Sequence, residues 1–73
     1  MIVGIGTDLA DIRRIVAGAP AHLVPGGWLL LEHGYEQGAA VRVLLADAGY
    51  TAVETRCDAA GLERITGGQR NAE

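Results

Sequence analysis

The chain has 73 residues and a net charge of −3, enough length for one small core and no more. A hydrophobic fraction of 49% with 21% charged residues excludes a disordered chain, which combines low hydrophobicity with high net charge. The basic residues are all arginines, scattered as Arg13, Arg14, Arg42, Arg56, Arg64 and Arg70; no basic stripe to neutralise phosphates exists, so nucleic-acid binding is not expected.

No apolar run is long enough to span a bilayer, and the N-terminus lacks the charged, apolar and cleavage regions of a signal peptide. The expected location is therefore the cytoplasm. Cys57 is the single cysteine, which precludes an internal disulfide and suits a reducing compartment. Neither a disulfide framework nor a zinc ligand set is present, so stability rests on a small core and is expected to be marginal.

Met1-Ile-Val-Gly-Ile5 is a β-prone apolar run closed by Gly6, which predicts a short strand. Thr7 or Asp8 suits a helix N-cap, and Asp11 places a carboxylate in the first turn. Leu9, Ile12, Ile15, Val16 and Ala19 recur at helical spacing, opposite Asp11, Arg13 and Arg14, the pattern of a helix with one buried face. Gly18 and Pro20 interrupt it, and Pro20 suits the start of a last short turn through Leu23.

Pro25-Gly26-Gly27 is a turn. The unbroken apolar run Trp28-Leu29-Leu30-Leu31 predicts a strand buried on both faces, as in a parallel α/β sheet. Glu32-His33-Gly34 ends it. A second helix is expected from about Glu36 to Ala48, with Val41, Leu44, Leu45 and Ala48 inward and Gly49 as its C′ residue. Val53 and Thr55 alternate with Glu54 and Arg56 in a strand running to Cys57. Asp58-Ala-Ala-Gly61 is a turn, Leu62 to Gly67 a last strand with Ile65 inward, and 68–73 a frayed tail. The fold class is α/β, in the order β-α-β-α-β-β, as one small domain over 1–73. The first three elements form a right-handed βαβ unit, and the last two strands are antiparallel neighbours.

Leu23-Val-Pro-Gly-Gly27-Trp-Leu-Leu-Leu31 resembles the segment leading into the fifth strand of class I S-adenosylmethionine-dependent methyltransferases. The continuation is narrower. Leu31-Glu-His-Gly34, Gln37-Gly38, Val41, Leu44-Leu45, Gly49-Tyr50, Val53-Glu54-Thr55, Asp58, Gly61, Arg64 and Gly67 resemble the C-terminal end of release-factor glutamine methyltransferases of the HemK type. About sixty residues match in register, and Leu9 to Val16 fits the helix before that fifth strand. The resemblance implies a parent enzyme that methylates a glutamine side-chain amide of peptide-chain release factors, with S-adenosylmethionine as donor.

In that family a Gly-rich loop holds the donor and an Asn-Pro-Pro-Tyr motif holds the amide. Neither motif occurs in this sequence, and no Asn-Pro pair exists in it. The resemblance therefore implies a fragment with no donor bound and no catalytic residue, inactive alone. A small protein-binding or structural α/β module is the alternative. The first fifteen residues also resemble the start of holo-acyl-carrier-protein synthase, which would make Asp8 a magnesium ligand in a phosphopantetheinyl transferase relic; that family's second metal-binding carboxylate motif is absent.

A sheet that begins with the parent's fifth strand exposes an apolar edge. Ile2 to Ile5 can take the place of the missing fourth strand. The expected result is a four-stranded mixed sheet in the order 1-2-4-3, with strand 4 antiparallel to both neighbours; homodimerisation through the strand edge is the competing solution.

Candidate site residues are few. Gly4, Gly6 and Asp8, between an apolar run and a helix, are similar to a nucleotide-binding turn that lacks its third glycine, and a plain strand-to-helix turn is the preferred reading. Glu32, His33 and Gly34 lie at the carboxyl end of the buried strand, where open α/β sheets bind ligands. Glu32 is expected to be a local structural partner more than a functional group, and His33 a solvated rim residue. No third ligand with suitable spacing supports a metal site. Cys57 reads as a small strand residue, Trp28 and Tyr50 as packing residues, and Asp58 and Arg64 as a pair across the last turn.

Overall fold

The computed structural model describes the backbone of residues 2–4 and residues 9–71 in full. Helix α1, Leu9–Gly18, follows the helical spacing of its apolar residues. Ile12 and Val16 are buried and Ile15 packs against the core they start. Leu9, expected on the inward stripe, is 37% exposed, because it precedes the turn at which the helix meets its neighbours. The helix stops at Gly18, and a 3₁₀ turn, Ala19–His22, begins with Pro20 in its first positions, where a missing N–H removes no helical bond.

Strand β1, Ile2–Gly4, lies parallel to β2, Trp28–Glu32, with Ile2 beside Leu30 and Gly4 beside Glu32. Ile5, the expected end of that strand, and the cap candidates Thr7 and Asp8 fall outside the described residues. After β2 a 3₁₀ turn, Tyr35–Gln37, leads into helix α2, Gly38–Asp47. Val41 and Leu45 are fully buried and Leu44 packs beside them. Ala48, expected inward, is exposed because the chain has already left the helix there. Gly49 follows with φ +90°, the left-handed conformation that ends helices and favours glycine.

Strands β3, Thr51–Cys57, and β4, Glu63–Gln69, are antiparallel, and β4 is also antiparallel to β2. The sheet order is β1-β2-β4-β3, the order expected from the sequence. One extra residue bulges β3 between Thr51 and Glu54, where Ala52 takes φ +51°. The bulge lets Val53 pack against the core and gives the edge strand an irregular outline, which discourages pairing with another chain.

Two expectations need correction. Strand β2 is buried on one face only. Leu29 and Leu31 are fully buried in the cluster with Ile12, Val16, Val41 and Leu45, whereas Trp28 and Glu32 are exposed and Leu30 is half-buried. Both helices pack on the same side of the sheet, so the other side stays open. The tail is not frayed from Gly68 onward. Strand β4 runs to Gln69, opposite Trp28. Arg70 N–H donates to Gly27 O at 2.7 Å, Gly26 N–H to Arg70 O at 3.2 Å, and the Arg70 guanidinium to Leu23 O at 2.8 Å. These bonds tie the end of β4 to the turn before β2.

Candidate functional site

The Glu32-His33-Gly34 segment leaves the carboxyl end of β2 beside the end of β1. Pleating sends consecutive side chains to opposite faces. Glu32 is exposed, in register with Gly4 on one side and Ile65 on the other. His33 turns to the helix side and is only 6% exposed. The expectation of a solvated rim histidine is therefore corrected: its ring is part of the protein interior.

Both ring nitrogens are engaged. Nδ1 lies 2.7 Å from Gly34 O, and Nε2 lies 2.7 Å from Thr66 Oγ1. A carbonyl oxygen only accepts, so Nδ1 carries the proton and, in the neutral ring, Nε2 accepts from the Thr66 hydroxyl. The fully buried Thr66 then accepts from Thr55 across the sheet at 2.8 Å. Thr55 accepts from Arg42 of α2 at 2.8 Å. Arg42 also donates to Glu63 at 3.1 Å. The chain Arg42–Thr55–Thr66–His33–Gly34 thus has a donor-only group at one end and an acceptor-only group at the other. Every hydroxyl in it donates once and accepts once.

The same loop is closed from the helix side. Gly34 N–H donates to Gln37 Oε1 at 2.8 Å, and Gln37 N–H donates back to Gly34 O at 3.0 Å. At the start of α2, a side chain on Gly38 would collide with the Glu63 carboxylate. Glycine therefore allows a negative group to sit by the helix N-terminus, where the backbone dipole favours it. Sequence reading singled out Glu32, His33 and Gly34 but missed Thr66, Arg42 and Glu63. The available signal was weak: two inward-facing threonines, Thr55 and Thr66, on adjacent strands.

The remaining candidates are not brought together. Gly6 and Asp8 lie outside the described residues, and Gly4 ends β1. Cys57 is exposed at the end of β3. The Tyr50 hydroxyl donates to Val16 O at 3.2 Å, and burial pushes the phenol up from its ordinary value against the opposing pull of Arg70. Asp58 and Arg64 pair across the last turn at 3.0 Å, as expected. The Asp58 carboxylate also accepts from the N–H groups of Ala60 and Leu62. Arg64 first, then the Leu62 N–H, hold it below the usual carboxylate range.

Among the described residues, no buried side-chain polar atom lacks a hydrogen-bond partner. No group of three or more His, Cys, Asp or Glu residues could hold a metal ion, and no helix is long and apolar enough to cross a membrane. The buried polar groups are thus committed to one another, and none is aimed at a bound molecule. The described residues do not fit a sulfonium nucleoside donor.

No protein-family model matches the chain. A release factor glutamine methyltransferase from Pseudomonas aeruginosa is 63% identical over 65 residues, which cover 88% of this chain and 24% of that protein. One from Vibrio cholerae is 51% identical over 72 residues, covering 99% of this chain and 25% of that protein. Among solved structures, a release-factor-specific protein-(glutamine-N5) methyltransferase from Alicyclobacillus acidocaldarius superposes with a TM-score of 0.73 at 27% identity, covering 93% of this chain and 45% of that one. The chain spans about a quarter of the length of the curated relatives it matches.

Proposed function

We infer that this chain, whose sequence belongs to the release factor glutamine methyltransferase family, is a C-terminal piece of such an enzyme with no methyl transfer of its own. The observation that carries this reading is high identity confined to a quarter of the relatives' length, in a chain without the donor-binding and Asn-Pro-Pro-Tyr motifs. The chemistry gives that absence its weight. An amide nitrogen is a poor nucleophile because its lone pair is delocalised, so transfer to it needs exact placement of amide and donor and fixed polar partners for both. This chain's buried polar groups are spent on holding its own β2–α2 loop. Its role is to brace the outer strands and to present Glu32 and Gly34 at the end of β2, with S-adenosylmethionine and the release factor bound by the rest of the enzyme. Strand β1 serves as the stand-in for the parent's fourth strand along β2.

The test is direct. The purified chain, mixed with S-adenosylmethionine and a release factor, is expected to transfer no methyl group, and titration with the donor is expected to leave its backbone amide shifts unchanged. Saturable shifts with turnover on the release factor would overturn the reading.

A further inference from the structure

The side of the sheet away from the helices carries Trp28 and Leu30 from β2, Ile65 and Gly67 from β4, and Glu54 and Arg56 from β3. Trp28 is 41% exposed. A side chain on Gly67 would collide with Leu30, so the glycine lets Leu30 lie flat across β4 and extends the apolar floor. Glu54 and Arg56 already pair with each other at 2.7 Å along the rim, which leaves the floor free of unpaired charge. Helices cover one side of this sheet and nothing covers the other, although strands with continuous apolar runs are normally buried on both.

We propose that this open face is the seat of an apolar helix face supplied by the remaining part of the same enzyme. The proposal rests on the reading of the chain as a piece of a longer methyltransferase. Two observations favour that occupant over a second copy. About three quarters of the length of the relatives lies outside the matched segment, and the solved neighbour likewise has more than half of its chain outside the match. The floor, with Trp28, Leu30 and Ile65 as its only large apolar side chains, falls short of the ~800 Å² per partner that a stable dimer buries.

The experiment compares the 73-residue chain with a full-length chimera, the Pseudomonas aeruginosa relative with its matched 65 residues replaced by those of this chain. Hydroxyl-radical footprinting read by mass spectrometry follows Trp28. Its oxidation is expected to fall several-fold in the chimera, and Ile65→Arg is expected to lower the melting temperature of the chimera by more than it lowers that of the short chain. Equal oxidation of Trp28 in both proteins would overturn the proposal. So would protection of Trp28 already present in the short chain as a dimer by sedimentation, or an Ile65→Arg effect no larger in the chimera. Should Ile65→Arg prevent the chimera from folding, the Trp28 footprint of the unsubstituted protein decides alone. Methyl transfer by the chimera reports separately: a protected Trp28 without activity counts against the proposed function and leaves the face assigned.

Discussion

His33 and Thr66, 33 residues apart in sequence, meet at 2.7 Å between Nε2 and Oγ1, and this contact sets the direction of a hydrogen-bond chain that cannot be reversed. Arg42 has no acceptor to offer and Gly34 O has no donor, so each proton between them points toward His33. A hydroxyl at position 66 is the only link that serves both neighbours. Thr66→Val keeps the shape and removes the link, leaving the His33 ring and the Thr55 hydroxyl without their buried partner. The expected loss is about 1–3 kcal/mol for each orphaned group, read by urea unfolding, while Thr66→Ser is expected to lose only about 1 kcal/mol for its methyl group. Nitrogen shifts of the His33 ring should show the Nδ1–H tautomer in the parent chain; an Nε2–H ring would contradict the stated polarity.

The last turn gives an acid-side prediction. Asp58 accepts from Arg64 and from the N–H groups of Leu62 and Ala60, and these interactions lower its native value below the ordinary 3.8. A depressed native value means that the unfolded chain binds the proton more readily. The contribution of Asp58 is therefore complete above the ordinary value and is lost as pH falls through the lower native one. Asp58→Asn is expected to reduce stability at neutral pH and to flatten the decline at acid pH, measured by chemical denaturation across that range. An unchanged acid limb would place the proton-linked loss elsewhere.

The elements were legible in the sequence because each carries a local signal. Ile12 and Val16 mark α1, Val41 and Leu45 mark α2, and Pro20 and Gly49 mark the ends. The sheet order follows from one need: Trp28 to Leu31 requires a partner on its open edge, and Ile2 to Gly4 can supply it. What stayed hidden depends on contacts distant in sequence. His33 reads as a solvated loop residue because nothing near it announces Thr66. Gly68 reads as the start of a loose tail, yet it is a close-approach position: a Cβ there would lie 3.0 Å from the Cβ of Tyr50. The continuous apolar run of β2 implies cover on both faces, and the helices that fold within this chain supply only one.

Two glycines at the ends of the helices should respond to alanine with opposite signs. Gly49 has φ +90°, and nothing lies within 4 Å of the place a Cβ would take. Gly49→Ala therefore meets no clash and reports backbone strain alone, an expected loss of about 1–2 kcal/mol. Gly18, the last residue of α1, is exposed, has φ −90° and also has open space around it. Gly18→Ala restricts the unfolded chain without straining the folded one, and is expected to stabilise by about 0.4–1 kcal/mol. Thermal unfolding of both variants checks the pair, and a loss at Gly18 would mean that the junction with the following 3₁₀ turn needs a glycine.

Tyr50 joins the two helices through a single hydroxyl. It follows α2 in the chain, lies against Gly68 of β4, and donates to Val16 O in α1 at 3.2 Å. Burial raises its phenol above the ordinary 10.0, with Arg70 opposing. For a raised native value the contribution to stability is complete below the ordinary value and is lost as pH rises through the native one, because the unfolded chain releases the proton first. Tyr50→Phe keeps the ring on Gly68 and removes both the bond and the proton. The expected result at neutral pH is a loss of about 0.5–1.5 kcal/mol, together with a shallower decline of stability on the alkaline side. Denaturation of the two proteins between neutral and alkaline pH tests both parts, and parallel alkaline limbs would show that ionisation of Tyr50 does not drive the loss.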